Sequence, residues 1–226
     1  GGDGRAEVFA TYHNEFFSRV ETIVLTCKDG KLVPSGTLPW MVRGSFDASG
    51  KRTLTAQSLL PDRSFPFGAI YPLIYADGKY QLGSPAIRVK RVEWIYSFAR
   101  TAGDADSPLA VFYHPGGHLR AQYEKYHWTS PDPLGQTSNR VRWPDRLLRF
   151  APRLPTLPSE GGLTGLYAIR NIPRLGSLAE AFGIYGRGEI QRLHWTGTGL
   201  EKDWTGEADG YVAGIAVADA VYAAVV

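Results

Sequence analysis

Thr22-Ile23-Val24-Leu25-Thr26-Cys27-Lys28-Asp29-Gly30-Lys31-Leu32 joins two apolar-rich runs through an Asp-Gly pair. A two-residue hairpin turn of type I′ needs positive φ at both central positions, which Asp-Gly tolerates, so the stretch predicts a pair of antiparallel strands. The same signature returns at Leu73–Tyr80 around Asp77-Gly78. Lys125–Leu134 and Arg192–Leu200 read as later copies, with Pro-Asp-Pro and Thr-Gly-Thr-Gly in place of Asp-Gly.

Two further signatures follow each hairpin in a fixed order. The first is a short apolar strand at Trp40–Phe46, Glu93–Phe98, Asp145–Phe150 and Tyr211–Val217. The second comes after a polar turn, at Arg52–Leu59, Pro108–Tyr113, Leu163–Arg170 and Val221–Val226, with Arg5–Tyr12 as an earlier copy. Phe46, Phe98 and Phe150 recur at 52-residue intervals. A unit of about 50 residues with four strands has the size of one β-propeller blade, which buries its faces only by stacking on its neighbours. The expected fold is therefore all-β, a propeller of four-stranded blades with four or five blades in one domain over residues 1–226. The units fall near residues 1–40, 41–92, 93–144, 145–210 and, in part, 211–226. Such units hold about seventeen strands, which do not make whole blades, so the chain is expected to belong to a larger propeller or to lack strands. One short helix is expected at Ser177–Phe182, where Ser177 and Glu180 have capping-box spacing.

Composition agrees with this reading. Glycine and proline number 26 and 15 of 226 residues, against a usual share of about 12%, and so disfavour long helices. A 43% apolar content supplies a core and excludes a mainly disordered chain. Cys27 is the single cysteine, which excludes an internal disulfide and multi-thiolate zinc sites. It lies in an apolar strand, where a thiol is expected to be inert. The start, Gly1-Gly2-Asp3-Gly4-Arg5, lacks the apolar stretch of a signal peptide and reads as a mature, trimmed or mid-domain start. Tyr211–Val226 is shorter than the ~20 residues of a membrane span and is broken by Asp219. It reads as two short buried strands around a turn, so no transmembrane segment is expected.

Few residues stand out as site candidates. His127-Trp128 and His194-Trp195 occupy places where other copies carry Thr26-Cys27 and Ile74-Tyr75, a pattern of packing more than of chemistry. His114-Pro-Gly-Gly-His118 cannot be helical, so the two imidazoles meet only across a tight turn and have no acidic neighbour in sequence to complete a metal site. Arg140, Arg142, Arg146, Arg149 and Arg153 are opposed only by Asp145 and interleaved with Trp143 and Phe150. This is either a solvated strand face or a surface for an anionic partner. There is no Gly-x-Ser-x-Gly, phosphate loop or dinucleotide fingerprint, and the expectation is a protein that is not an enzyme.

Gly2-Asp3-Gly4-Arg5-Ala6-Glu7-Val8 resembles the second half of the Asp/Gly loop of FG-GAP/VCBS-type β-propeller repeats, and Tyr211–Asp219 resembles the strand that leads into such a loop. The resemblance implies a bacterial repeat protein that is periplasmic, outer-membrane-associated or extracellular. It implies no cofactor other than calcium, held by aspartates of these loops, with Asp3, Asp47, Asp104 and Asp106 as the candidate ligands. The copies depart from the family pattern: Asp219 passes directly to Ala220-Val221-Tyr222, and Phe46–Lys51 is shortened.

The leading functional expectation is a non-catalytic binding or scaffold protein that engages other proteins. Arg140, Arg142, Trp143, Arg146, Arg149, Trp128 and Trp195 are its candidate binding residues. The first alternative is a lectin-like propeller using Trp128, Trp143, Trp195 and Trp204. The second is an enzyme with its site at a central channel. The expected partner is a protein or an anionic glycan, with no nucleic acid, and the chain is expected to enter a homo-oligomer or larger assembly.

Overall fold

The computed structural model describes residues 6–14, 19–46, 52–60, 67–86, 94–100, 109–114, 116–143, 146–159, 162–174, 179 and 182–226. They form an all-β protein of six antiparallel sheets, none closed on itself. In chain order the strands are β1 (Glu7–Asn14), β2 (Arg19–Lys28), β3 (Lys31–Leu38), β4 (Met41–Phe46), β5 (Arg52–Leu59), β6 (Phe67–Ala76) and β7 (Lys79–Leu82). They continue with β8 (Phe98–Arg100), β9 (Ala110–Tyr113), β10 (His118–Tyr123), β11 (Tyr126–Pro133), β12 (Arg140–Trp143), β13 (Arg146–Arg149) and β14 (Thr156–Ser159). The last are β15 (Gly162–Pro173), β16 (Tyr185–Trp195), β17 (Leu200–Ala208), β18 (Val212–Val217) and β19 (Val221–Val225). Each sheet is a run of consecutive strands: β1–β3, β4–β7, β8–β11, β12–β13, β14–β17 and β18–β19. This is the repeat-like pattern that the recurring signatures predict.

The chain divides into two compact units. One comprises Gly1–Ser45, Arg52–Ile95 and Val141–Leu148; the other comprises Phe46–Lys51, Tyr96–Arg140 and Arg149–Val226.

In the first unit, Asp29-Gly30 and Asp77-Gly78 all have positive φ, and the hairpins β2–β3 and β6–β7 turn on them, as the Asp-Gly signature predicts. Val24 and Leu38 of the first sheet pack with Val42, Ala56 and Leu73 of the second. Phe9 meets Tyr80 edge-on, with ring centroids 5.5 Å apart. Thr22, fully buried, donates to Trp40 O at 2.6 Å and shares a 2.7 Å hydrogen bond with Thr11. The alternation of Val20, Thr22 and Val24 thus points a polar side chain into the core, where the hydroxyl must be satisfied.

In the second unit, β14–β17 is covered on both faces. Leu166 and Ala168 of β15, with Leu193 of β16, pack against Ala99, Val111, Leu119 and Ala121 of the β8–β11 sheet. The intervening Tyr167 and Ile169, with Ile190, pack against Val212 and Ile215 of β18. Successive strand residues face opposite ways, so Leu166–Ile169 reads as an unbroken apolar run because both faces are dry. Gly188 permits the approach of β18: a Cβ there would sit 2.3 Å from Val212 Cγ2.

Several expectations are corrected. Glu93–Phe98 is not the first strand of its sheet; residues 94–97 turn, and β8 begins at Phe98. Side chains hold this segment instead: Ile95 N–H donates to Gln57 Oε1 at 2.9 Å, and Ile95 O accepts from Arg43 at 2.7 Å. Lys125–Leu134 is not a hairpin. Its residues Tyr126–Pro133 make one strand, and the turn lies earlier, at Glu124-Lys125 between Tyr123 and Tyr126. The strand read at Asp145–Phe150 belongs to the β12–β13 hairpin and not to a four-stranded sheet, while β14 takes the first place in the fourth sheet. β19 is not buried: Tyr222 is 56% exposed and Val225 44%. Cys27 is exposed at the end of β2, since the strand outruns the core there. Of the helix expected at Ser177–Phe182, only Ala179 and Phe182 lie within the described residues, both helical. Among the described residues no helix is long and apolar enough to cross a membrane.

Candidate functional site

The arginine-rich window folds as the hairpin β12–β13. Arg140 and Arg142 lie two apart on β12 and therefore on one face of it; both are exposed. On β13, Leu148 is buried, whereas Leu147 is 55% exposed and Arg149 is also exposed. The side chains of Trp143 and Arg146 lie outside the described residues. Arg153 is engaged elsewhere. Its guanidinium stands 4.4 Å from the centroid of the Tyr96 ring, a cation–π contact, while Leu154 N–H donates to Tyr96 O.

Four other arginines have carboxylate neighbours. Arg19 pairs with Glu21 at 2.7 Å, Arg170 with both Asp132 and Glu189, Arg187 with Glu189 at 3.2 Å, and Arg192 approaches Asp203 at 3.7 Å. Among the described residues no carboxylate lies within ion-pair distance of Arg140 or Arg142. Two guanidinium groups on one strand face, with no counter-charge among the described residues, can bind carboxylate, sulfate or phosphate oxygens through paired N–H donors.

Trp128 and Trp195, each partly buried, both pack against the core cluster shared by the β8–β11 and β14–β17 sheets. They are not equivalent in the repeat. Trp195 ends the third strand of its sheet, and the matching place in the β8–β11 sheet belongs to Tyr123, whose ring meets Trp195 edge-on at 6.3 Å. Trp128 lies on the fourth strand and covers Gly199, where a Cβ would stand 2.7 Å from its ring. Trp204 is the more exposed indole, at 47%, and lies over Gly206.

The histidines are engaged in local structure. His118 Nδ1 donates to Ser130 O at 2.8 Å, which fixes its tautomer. His114 and His118 do flank the turn: a Cβ on Gly116 would lie 3.8 Å from each ring. His194 Nδ1 stands 2.6 Å from Asp203 Oδ1, an arrangement on neighbouring strands that sequence spacing does not reveal. Among the described residues no three His, Cys, Asp or Glu side chains cluster as metal ligands. The four candidate calcium ligands, Asp3, Asp47, Asp104 and Asp106, lie outside the described residues. Asp219 serves its turn, accepting from Ala220 N–H at 3.1 Å and Tyr222 O–H at 3.0 Å.

A scan against protein-family models, a search of curated proteins and a search of solved structures each returned no match.

Proposed function

We propose that the chain is a non-catalytic binding scaffold whose contact surface is the arginine face of the β12–β13 hairpin and whose partner is an acidic protein. The observation that carries this reading is the contrast among arginines. Arg19, Arg170, Arg187 and Arg192 have carboxylate neighbours, while Arg140 and Arg142 carry exposed charge with none among the described residues. Leu147 on the paired strand β13 adds exposed apolar area to the hairpin, and a charged surface with an apolar residue suits protein association. In this reading the consecutive sheets are blades of an FG-GAP/VCBS-type propeller of the bacterial envelope or surface. The stacking of β14–β17 between two neighbouring sheets supports that frame. Calcium, as the resemblance implies, would be a ligand of the Asp/Gly loops.

The test is binding of a fluorescein-labelled Glu/Asp-rich peptide, followed by anisotropy at low and at physiological salt. Surface attraction is screened over ~8 Å at physiological ionic strength, so affinity should fall at least tenfold between the two. Binding that is absent at low salt, or indifferent to salt, would refute the proposal.

A further inference from the structure

An open cleft of about 550 Å³ lies in the second unit, lined by Ile172, Pro173 and Arg174 at the end of β15, by Tyr185, Gly186 and Arg187 at the start of β16, and by Asp209-Gly210 before β18. Its size is that of a pocket for a small organic ligand.

Its walls are fixed in advance. Tyr185 stacks on Tyr211, with centroids 5.4 Å apart and planes 21° apart. Tyr211 is in turn locked at its hydroxyl, which accepts from Ser138 N–H at 3.2 Å, donates to Asn139 Oδ1 at 3.1 Å and meets Thr137 Oγ1 at 3.0 Å. The stem of Arg174 crosses Gly186, where a Cβ would stand 3.1 Å from Arg174 Cγ. A strand residue other than glycine would push that side chain aside. Backbone bonding of Arg174 N–H to Ile184 O anchors the same end of the cleft.

The charges are also arranged for a ligand. Arg187 is held by Glu189 and Glu207. Arg174 and Asp209 both line the cleft and are exposed, yet among the described residues neither has an ion-pair partner, and they do not pair with each other. A guanidinium takes a carboxylate through two parallel N–H donors. A carboxylate such as Asp209 accepts from vicinal hydroxyls. An aromatic residue offers a surface to a sugar ring.

We propose that this cleft is a binding site for an acidic sugar of the uronate class, with Arg174 on the sugar carboxylate, Asp209 on its hydroxyls and Tyr185 against the ring. The cleft shares no lining residue with the arginine hairpin, and the two proposals are tested independently.

The experiment is a ¹H–¹⁵N NMR titration with glucuronate, glucose and inorganic phosphate at low ionic strength. Glucuronate should produce saturable shifts centred on the amides of Gly186 and Gly210, with glucose at least tenfold weaker. Arg174→Gln keeps the stem that covers Gly186 and should remove the preference for glucuronate over glucose. Asp209→Asn should weaken both sugars, and both variants should keep the wild-type melting temperature. Absence of saturable shifts at those glycines, equal binding of glucose and glucuronate, phosphate binding as tight as glucuronate, or an Arg174→Gln variant with unchanged preference would overturn the proposal.

Discussion

Asn171 and Val212 bond to each other as two strands would: Val212 N–H donates to Asn171 Oδ1 at 2.9 Å, and Asn171 Nδ2 donates to Val212 O at 3.2 Å. The side-chain amide of β15 thereby takes the place of a peptide group for the first strand of the next sheet. Gln57 of β5 does the same for Ile95, which precedes β8, and Thr11 of β1 accepts a longer 3.5 Å bond from Val42 N–H of β4. Three times, a polar side chain of one sheet accepts from a backbone N–H at, or in the turn just before, the start of the next sheet.

This repeat of function predicts a large effect from a small change. Asn171 is fully buried and also donates to Gln136 O at 3.0 Å. Replacing it with alanine strands the N–H and O of buried Val212, each costing ~1–3 kcal/mol, and removes the donor to the O of half-buried Gln136. Asn171→Ala is expected to destabilise by about 2–4 kcal/mol in chemical denaturation.

Gly188 and Gly36 make an internal comparison. A Cβ at Gly188 meets Val212 Cγ2 at 2.3 Å, while one at Gly36 meets nothing within 4 Å. Gly188→Ala should lose about 1–3 kcal/mol through overpacking. Gly36→Ala should lose nothing, because alanine also restricts the unfolded chain. Thermal melts of the two variants decide this.

The sheet order was largely legible from local signals. Asp29-Gly30 and Asp77-Gly78 specify their turns whatever surrounds them, and Arg52–Leu59 alternates clearly enough to be bounded to the residue. What escaped reading depends on distant partners. Ile95 lies in an apolar segment that looks like a strand, but its N–H and O are taken by the side chains of Gln57 and Arg43. The turn at Glu124-Lys125 has no glycine to announce it, and Glu124 bears the positive φ. Among candidate residues, the arginine cluster was visible as composition. That Arg140 and Arg142 lack counter-charges among the described residues, and that Arg174 and Asp209 share a cleft, follows only from strand pairing. No periodicity marks Asn171 as polar and buried, since its neighbours carry the apolar pattern.

The pair Tyr12–Glu21, joined across β1 and β2 at 2.5 Å, gives a pH dependence. The hydrogen bond from Tyr12 holds the Glu21 carboxyl below the ordinary carboxylate range, and the bond to Glu21 raises the Tyr12 phenol. A lowered carboxylate stabilises the fold above its unfolded pKa, and that contribution is lost as pH falls through the folded value. A raised phenol stabilises below its unfolded pKa, and the contribution is lost as pH rises through the folded value. The pair should hold between the acidic and the strongly alkaline ranges. In Tyr12→Phe, carboxyl ¹³C titration should show Glu21 moving up toward the ordinary carboxylate value; an unmoved Glu21 would contradict the assignment.

Calcium is tested by a melt with and without chelator. The Asp/Gly loops are shortened or broken in sequence, so the melting temperature is expected to shift little. A specific ligand at a hundredfold excess over its Kd would add about 2.7 kcal/mol, and a chelator-induced drop of ten degrees or more would show a bound ion at one of Asp3, Asp47, Asp104 or Asp106.

The contact surface is tested most directly by the double variant Arg140→Glu, Arg142→Glu, measured for both peptide binding and melting. Exposed charges seldom contribute more than ~1 kcal/mol each to stability, and neither guanidinium has a carboxylate neighbour to lose among the described residues. Binding of the acidic peptide is expected to fall at least tenfold at low salt, with a melting temperature within about two degrees of wild type. Unchanged binding, or a sharp loss of melting temperature that shows the two arginines to be packing residues, would contradict it.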